Sequence, residues 1–497
     1  MYSVTIHTRA GVVAAEAEEN TLLSEVLRHH VPGFAMPCAG NHTCGKCRVR
    51  VRGRVSRPGR EERALLGEAA LGQGLRLACD CRVLGDVAVT PPAEEAGKVL
   101  AWYDVPPFRR TETGFGFAVD IGTTTVVVRL MERGSGKVAA ERLAENAQRG
   151  FGADVISRIE ACRTAGLDTL SARIGDQLEA MAAACLEEAG VDGVEESVVT
   201  GNTTMLHLYE GLDPSTLAVA PFAVQSHFGG RSRRTLAGKP VYLPRCVGAY
   251  VGADIVCAVL AAGLTGGGTQ LLADIGTNGE IVLARDGRLI CCATAAGPAF
   301  EGAGLSCGMP ASAGAIRAVD WQEGRAVYET VDRRPAAGIC GSGILDALAV
   351  MRRAEILEES GYLEAPWTIG DSGISIIQRD IRQIQLAKSA ICAGIQTLLQ
   401  TEGLTAADVD RFVIAGGFGS SLNQEAAVAV GLFPAALGPK TAFIGNGALG
   451  GAVMLLLNGA LRRQAEALAA AAEELSLSES PVFMDRYLDA MTLAEAE

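Results

Sequence analysis

Four cysteines near the N-terminus have a spacing that suits a metal centre. Cys38, Cys44 and Cys47 lie in PCAGNHTCGKCRV with the spacing C-x5-C-x2-C, and Cys79 follows in LACDC. Three thiolates on one loop and a fourth from a distant segment are what a [2Fe–2S] cluster requires. Such a cluster carries one electron and performs no chemistry of its own. The function must therefore depend on the rest of the chain.

Two alternatives remain open for these thiols. A zinc site would use paired Cys or His ligands, whereas His42 in the loop has no second histidine at zinc-binding spacing. Cys81 competes with Cys79 as the fourth ligand because LACDC contains both.

A second chemical signal is a short loop that occurs twice between apolar stretches. In FGFAVDIGTTTVVVRL (115–130) the loop supplies Asp120, Gly122, Thr123, Thr124 and Thr125; in LLADIGTNGEIVLARDG (271–287) it supplies Asp274, Gly276, Thr277, Asn278 and Gly279, followed by Glu280. A glycine-rich turn of this kind can cradle phosphate oxygens, and an adjacent aspartate can hold Mg²⁺ through water. The repeat predicts an ATP and Mg²⁺ site with two catalytic aspartates. A pair of hairpin turns is the alternative.

Further glycine-rich loops carry candidate binding residues. They are Gly201, Asn202 and Thr203 in VVTGNTTM, Gly341, Ser342 and Gly343 in AGICGSGILD, and Gly416, Gly417, Phe418 and Gly419 in VIAGGFGSS. Asp254, in GAYVGADIV, is a candidate water-orienting catalytic carboxylate, with helix capping as the alternative. Glu280 is equally consistent with a strand residue facing solvent. The Gly/Ala-rich segment 295–312 is expected to face a partner or the nucleotide, unless it is a buried loop.

The elements that must position these residues divide the chain into three parts. Residues 1–92 read as short strands, such as MYSVTIHT and DVAVT, with the helix TLLSEVLRHH. Prolines bracket a linker at 93–114. From residue 115 to 497, strands alternate with helices. The internal repeat there predicts two lobes with a cleft between them, at about 115–265 and 266–497.

Composition and charge exclude several classes of function. A net charge of -13 disfavours a nucleic-acid partner, which needs clustered Lys and Arg. We expect no signal peptide and no membrane association, because the start has no apolar core and GGAVMLLLNGAL is too short to span a bilayer. Fourteen cysteines in such a chain indicate reduced thiols in the cytoplasm.

The two halves of the chain resemble two known families. Residues 1–90 resemble a [2Fe–2S] ferredoxin of the adrenodoxin type, which implies an α+β β-grasp fold and favours Cys79 as the fourth ligand. The DIGT loops resemble those of the acetate kinase, sugar kinase, heat-shock chaperone and actin superfamily. That likeness implies a two-lobed α/β actin-like (ribonuclease H-like, duplicated) ATPase. It also implies an inter-lobe role for 201–203, adenosine-side roles for 341–343 and 416–419, and a second connecting helix that begins in IGNGALGGA, at Gly445, Asn446 and Gly447.

The whole chain resembles the reductive activators of corrinoid proteins. The phrases CAGNHTCGKC, VDIGTTTVVV, VTGNTTMLHL, ADIGTNGEIVL, AAGPAFEGAGLSCGM and VIAGGFGSSLN carry this resemblance. It implies that ATP drives one electron from the cluster onto a Co(II) corrinoid, regenerating Co(I) for methyl transfer. It implies as partners a corrinoid protein of a methyltransferase system, an electron donor and a second copy in a homodimer. Some members carry an extra middle domain, whereas this chain has only the short linker.

Three other functions are compatible with parts of the pattern. One is an ATP-dependent activator of another redox enzyme, such as a radical dehydratase. The second is a small-molecule kinase with a redox-sensing domain, although no acceptor-binding motif is visible, which favours water as the phosphoryl acceptor. The third is a non-enzymatic scaffold, which the intact Asp120 and Asp274 disfavour.

Overall fold

The structure is a computed structural model that describes residues 1–8, 11–31, 34, 42, 45, 47–91, 103–264, 266–417 and 422–496. Four of the predicted site residues, Cys38, Cys44, Phe418 and Gly419, lie outside these ranges. So does most of the first half of the predicted linker.

The N-terminal unit is a five-stranded sheet with two helices, in line with the predicted β-grasp fold. Its elements are β1 (Tyr2–Thr8), β2 (Gly11–Ala17), α1 (Leu23–His30), β3 (Arg48–Val55), α2 (Arg60–Gly72), β4 (Leu75–Leu77) and β5 (Val83–Thr90). The strand order is β2-β1-β5-β3-β4, with β1 parallel to β5. Apolar residues at alternating strand positions, such as Val4 and Ile6, pack against Leu23 and Leu27 of α1.

The first half of the remaining chain forms a six-stranded sheet with helices, which we call lobe one. Its elements are β6 (Phe115–Ile121), β7 (Thr125–Glu132), β8 (Lys137–Glu145), α3 (Val155–Ala161), α4 (Leu167–Ala189), β9 (Glu196–Gly201), α5 (Thr203–Glu210), β10 (Gly230–Leu236), β11 (Lys239–Leu243) and α6 (Ala253–Ala262). The strand order is β10-β11-β9-β6-β7-β8.

The second half forms another six-stranded sheet, lobe two, in the order β21-β20-β12-β13-β14-β22. Its elements are β12 (Thr269–Ile275), β13 (Gly279–Arg285), β14 (Arg288–Thr294), β15 (Ala315–Gln322), β16 (Arg325–Thr330), β17 (Gly338–Ile339), α7 (Gly341–Arg353), β18 (Trp367–Thr368), β19 (Ser375–Ile376), α8 (Gln378–Thr401), β20 (Arg411–Ala415), α9 (Gln424–Ala429), β21 (Thr441–Gly445), α10 (Gly447–Leu457), α11 (Ala460–Ala471), β22 (Glu473–Glu474) and α12 (Pro481–Asp489).

The two sheets repeat the same connections, which confirms the predicted duplication. In each lobe the first strand pairs antiparallel with the second across the DIGT loop, and parallel with a later strand, β9 or β20. Asp120 is thereby paired with Thr200, and Asp274 with Ala415. Both aspartates reach the same kind of position, the carboxyl end of a central strand, where α/β sheets bind ligands.

Two helices pack across the boundary between the lobes. Helix α6 ends lobe one in sequence, yet its Ile255 and Val259 pack on Leu272 and Val413 of the lobe-two sheet. Helix α10 does the reverse, packing on the core that contains Ala118 and Val198 of lobe one. The sequence boundary near residue 265 is therefore not the boundary of the packing. As predicted, a connecting helix begins after IGNG.

These two helices cross with their backbones in contact at Gly451. A methyl group on Gly451 would overlap the carbonyl oxygen of Cys257. We expect Gly451→Ala to lower the free energy of unfolding by about 1–3 kcal/mol, the usual cost of overpacking. Urea unfolding of the full chain measures this. Gly193→Ala is the matched control, since a methyl there meets nothing within 4 Å; equal losses in both variants would contradict the close crossing.

The described part of the linker is docked on the ATPase half. Tyr103 forms a β-bridge with Gly445, and the Asp104 amide donates to Ile444 O at 3.0 Å. Further along, Asn458 Nδ2 donates to Arg109 O at 2.8 Å. The linker thus follows β21 and α10, the elements that join the lobes. Among the helices described, none is both long enough and apolar enough to cross a bilayer.

Candidate functional site

A cavity of about 280 Å³ lies between the two lobes and is lined by both DIGT loops. The structure brings most of the predicted nucleotide residues to its wall. They are Asp120, Gly122, Thr123, Thr124, Thr125, Asn202, Asp254, Asp274, Gly276, Thr277, Asn278, Gly341, Ser342, Gly416 and Gly417. Loops that are far apart in sequence therefore converge on one cleft. Its volume is close to the lower limit of the usual range for small-molecule sites, about 300–1,000 Å³.

Four predicted residues do not line the cavity and have packing roles instead. Gly201 lies against Ile121 O, and Gly343 lies against Ile316 O, so closely that a methyl group would not fit at either. A methyl on Gly279 would overlap Ile391. Thr203 is buried and donates its hydroxyl to Gly248 O at 2.6 Å. These residues shape the loops and do not face the cavity.

An asparagine at the start of one helix in each lobe holds the first DIGT loop. Asn202 accepts the Met205 amide to cap α5, and its Nδ2 donates to Thr123 Oγ1 at 3.0 Å. Asn446 caps α10 in the same way, and its Nδ2 donates to Asp120 Oδ2 at 2.9 Å. Side-chain capping satisfies otherwise free helix amides. Here each cap also fixes a side chain of the candidate site, a role that the sequence did not reveal for Asn446.

Gly416 approaches the second DIGT loop closely. Its φ of 97° lies in the region that disfavours side chains, and a methyl group there would lie 2.6 Å from Ile275 O and 2.9 Å from Asp274 Oδ1. Gly416 therefore lets β20 end directly beside Asp274. Across the cavity, Ser342 at the start of α7 donates to Arg317 O at 2.9 Å.

Buried carboxyl groups concentrate in the cleft. Burial, opposed by the Asn446 hydrogen bond, raises the pKa of Asp120 to about 6. Burial, together with the charges of Asp120 and Glu301, raises the pKa of Asp274 to about 7. Burial and the charges of Asp120 and Asp274 raise the pKa of Asp254 to about 8. Carboxylates crowded in this way favour a bound cation, because its charge stabilises their ionised forms.

Glu280 belongs to the same group of acids. It is 8% exposed and lines the cavity, so the alternative of a solvent-facing strand residue is wrong. Burial, then the charges of Asp254 and Asp274, raises its pKa well above the usual value. Asp254 lies in the first turn of α6, where its Oδ1 accepts the Ile255 amide at 2.9 Å. It both contacts a helix-start amide and faces the cavity.

Glu301 is a site residue that the sequence analysis missed. Its Oε2 accepts the hydroxyl of Thr124 at 2.9 Å and that of Thr277 at 2.8 Å, and the two hydroxyl oxygens are 3.2 Å apart. One carboxylate thus bridges the DIGT loops of the two lobes. It belongs to segment 295–312, which lines the cleft through Phe300, Glu301, Pro310 and Ala311. The available signal was a single acid within a Gly/Ala-rich stretch.

We expect Glu301→Gln to tighten nucleotide binding. The bridging carboxylate occupies two hydroxyl donors that phosphate oxygens would use, and its charge repels them. Removing the charge should lower the Kd for ATP about tenfold, or about 1.4 kcal/mol. Calorimetric titration of the full chain measures this, with Glu364→Gln, an exposed residue, as the charge-matched control. An unchanged or weaker affinity in Glu301→Gln would contradict the bridging role.

Two of the four predicted cluster ligands are described, and they lie together. Cys47 Sγ and Cys79 Sγ are 3.3 Å apart, and both residues are buried. Two sulfurs on one tetrahedral metal with bonds of about 2.3 Å would be roughly 3.8 Å apart. His42 Nδ1 lies 3.7 Å from Cys79 Sγ, so this histidine is next to the cysteine. Within the described ranges no group of three or more metal-binding side chains is found, Cys38 and Cys44 being outside them.

Cys81, the alternative fourth ligand, has a different setting. It is fully buried in the apolar core of the N-terminal unit, and its carbonyl accepts the Leu23 amide at 2.9 Å. Cys79, by contrast, has its sulfur beside that of Cys47. The donor pair that fits a shared metal is therefore Cys47 and Cys79.

Three family models match successive parts of the chain. The model for the C-terminal domain of RACo, the ASKHA domain, matches residues 268–497, and the RACo middle-region model matches residues 115–266. The 2Fe-2S iron-sulfur cluster binding domain model matches residues 5–84. The residues that the middle-region model matches are those that form lobe one.

Named relatives and a solved structure extend this likeness. The "Corrinoid activation enzyme RamQ" of Eubacterium limosum is 31% identical over 77% of this chain and 71% of its own length. The "[Co(II) methylated amine-specific corrinoid protein] reductase" of Methanosarcina barkeri is 26% identical over 64% of this chain and 66% of its own length. A structure titled "Reductive activator for corrinoid,iron-sulfur protein" matches with a TM-score of 0.71 and 29% identity, covering 100% of this chain and 99% of that one.

Proposed function

The chain belongs to the RACo family of corrinoid reductive activators, and from this premise we propose the division of labour among its residues. The protein is an ATP-dependent activase that passes one electron from a [2Fe–2S] cluster to a Co(II) corrinoid protein, regenerating Co(I). The observation that carries the assignment of roles is the inter-lobe cavity lined by both DIGT loops. It lies in the same chain as a ferredoxin unit.

The nucleotide occupies the cleft with its phosphates at the DIGT loops. The amides and hydroxyls of Thr123, Thr124 and Thr277 would bind phosphate oxygens, and Asp120 and Asp274 would hold Mg²⁺, which would neutralise phosphate charge. Asp254 orients the attacking water, because it is a buried carboxylate facing the same cavity. Phosphoryl transfer needs positioning and charge neutralisation more than a nucleophilic side chain. The absence of an acceptor-binding motif in the sequence fits water as the acceptor.

The thiolates of Cys38, Cys44, Cys47 and Cys79 hold the cluster. When bound, the cluster supplies electrons one at a time. Support for this ligand set comes from the adjacent sulfurs of Cys47 and Cys79 and from the match to the 2Fe-2S domain. Cys47 and Cys79 are buried in the core cluster of the N-terminal unit, and the hydrophobic surroundings of a metal centre are a factor that tunes its potential.

ATP is needed because the electron transfer to Co(II) is uphill. Each 59 mV of unfavourable potential costs a one-electron step about 1.4 kcal/mol. A nucleotide can offset that cost only by favouring a conformation that binds the partner better in one redox state. Two lobes joined by the crossed helices α6 and α10 supply a hinged element that can adopt two arrangements.

The finer partners follow from the same reading. We propose an external electron donor for the cluster, a corrinoid protein of a methyltransferase system as acceptor, a cytoplasmic location and a homodimeric state. The name of the Methanosarcina barkeri relative specifies a corrinoid protein for methylated amines. That choice of methyl donor belongs to the relative.

The decisive experiment measures reduction of the corrinoid protein directly. The full chain, reconstituted with iron and sulfide under anaerobic conditions, is mixed with a candidate corrinoid protein and titanium(III) citrate, with ATP or with ADP. We expect cob(I)alamin absorbance to develop with ATP only. Equal rates with ATP and ADP, using a corrinoid protein that other activators reduce, would refute the function.

A further inference from the structure

One short turn of lobe one contacts both the ferredoxin unit and the first phosphate loop. The turn, residues 146–152, follows β8, whose end lines the nucleotide cavity. On one side it meets α1 of the ferredoxin unit. Arg28 Nη1 lies 3.5 Å from Gly150 O, and the Arg28 guanidinium lies 5.5 Å from the centre of the Phe151 ring.

The fit on the ferredoxin side is close. A methyl group on Gly150 would lie 3.3 Å from both Arg28 Cγ and Phe34 O. Arg173, on the neighbouring helix α4, donates to Arg28 O at 3.0 Å. Phe34 precedes the cysteine loop by only four residues in sequence. The turn therefore contacts the part of the ferredoxin unit that precedes its cluster ligands in sequence.

On its other side, the turn is tied to the phosphate loop by Asn146. The Asn146 amide donates to Thr124 O at 2.8 Å, and its Nδ2 donates to Gly122 O at 2.8 Å. Its Oδ1 accepts the Gln148 amide at 2.9 Å and so starts the turn. The Asn146 side chain thus forms hydrogen bonds with the backbone of both the phosphate loop and the turn.

Arg158 makes a second connection between the same two segments. Its Nε donates to Gly152 O at 3.0 Å, at the end of the turn, and its Nη2 donates to Thr123 O in the phosphate loop. Arg158 belongs to α3 and has no exposed surface. Burying a guanidinium against carbonyl oxygens is costly. Its charge, however, lies directly behind the loop that receives the phosphates.

We propose that Asn146 and Arg158 are positioning residues that transmit the nucleotide state of the first phosphate loop to the docking of the ferredoxin unit, through turn 146–152. The inference rests on the proposed function, since it takes the loop at Gly122–Thr124 as the phosphate site. Phosphates bound by the loop amides change the hydrogen bonds that Gly122 O, Thr123 O and Thr124 O accept from Asn146 and Arg158. The turn bonded to those oxygens then shifts against Arg28 and Phe34.

Hydrogen–deuterium exchange of the full, cluster-loaded chain tests this directly. The probes are ADP and a non-hydrolysable ATP analogue, each with Mg²⁺. We expect nucleotide to change the exchange rate of peptides covering 147–152 and 23–30 by about fivefold or more, the low end of allosteric coupling. Nucleotide-dependent change at the cavity loops without any change at 23–30 would overturn the inference alone. No change at the cavity loops would instead count against the nucleotide site itself.

Variants show whether Asn146 and Arg158 transmit the nucleotide state or only stabilise the fold. Asn146→Ala and Arg158→Lys should still bind nucleotide but lose most of the response at 23–30. Because both residues are buried, a variant at the ferredoxin end is the safeguard: Arg28→Ala should keep its cluster spectrum and basal ATP hydrolysis, yet lose at least about fivefold in ATP-driven corrinoid reduction. Arg52→Ala, on an exposed face of the same unit, is the matched control. Equal ATP-driven rates for Arg28→Ala and Arg52→Ala would overturn the proposal.

Discussion

Replacing Asp274 by asparagine should abolish ATP-driven corrinoid reduction while leaving the iron–sulfur spectrum unchanged. Asparagine keeps the volume of the side chain and removes the charge that we assign to Mg²⁺. Losing one preorganised electrostatic group from an active site typically slows a reaction about 100-fold or more. The rate is measured as cob(I)alamin formation with saturating ATP. A variant within about threefold of the parent would exclude Asp274 from the catalytic machinery.

The control for this substitution is Asp286→Asn. Asp286 lies at the tip of the hairpin between β13 and β14, with its side chain 80% exposed and a φ of 50° that asparagine tolerates. It should behave as the parent protein does. If both variants lost activity together, the effect would be on solubility or folding and not on the cation site.

Stability of the nucleotide-free protein distinguishes a catalytic from a structural loss. The pKa of Asp274 is raised to about 7 in the folded protein, from about 3.9 in an unfolded chain. A carboxyl group with a raised pKa binds its proton more tightly in the folded state, so ionising it costs stability as pH rises through this interval. Asp274→Asn removes that cost. We expect the variant to unfold at a higher temperature than the parent at pH 8, and at a similar one near pH 4.

The local parts of the inter-lobe cavity could be predicted from sequence because their signals are contiguous. The DIGT loops need a strand, a glycine turn and hydroxyls within one short segment, and the structure has each of them at a strand end facing the cavity. Their duplication also predicted two similar sheets. These are properties of neighbouring residues, so a single sequence contains them.

Contacts between segments that are far apart in sequence could not be predicted in this way. Glu301 meets Thr124 across the cleft, and Asn446 meets Asp120 although 326 positions separate them. The packing of α6 and α10 across the lobe boundary likewise depends on which apolar face fits which sheet, as does the docking of the linker on β21. Neither hydrophobic periodicity nor motif spacing encodes those pairings. The same limit explains Gly201, Gly279 and Gly343, which occur in glycine-rich motifs but serve close packing.

A matched pair of serine variants should decide the fourth cluster ligand with an all-or-none result. Cys79→Ser should bleach the visible iron–sulfur absorbance and abolish corrinoid reduction, because a hydroxyl replaces the thiolate beside Cys47. Cys81→Ser should keep both, because Cys81 lies in the apolar core and its carbonyl, not its sulfur, makes the described contact with Leu23. Each substitution replaces one thiol by a hydroxyl within the same short segment, LACDC. Any general effect on folding is therefore shared.

Nucleotide binding supplies the internal reference for this pair. The cavity residues lie in a different unit from Cys79, so both serine variants should bind ATP with the affinity of the parent, measured by calorimetric titration. A bleached Cys81→Ser variant with an intact Cys79→Ser spectrum would reverse the assignment, in spite of the 3.3 Å between Cys47 Sγ and Cys79 Sγ. Loss of ATP binding together with the cluster would mean that the two units do not fold independently. In that case turn 146–152 would be a structural joint between them and not only a connection that responds to nucleotide.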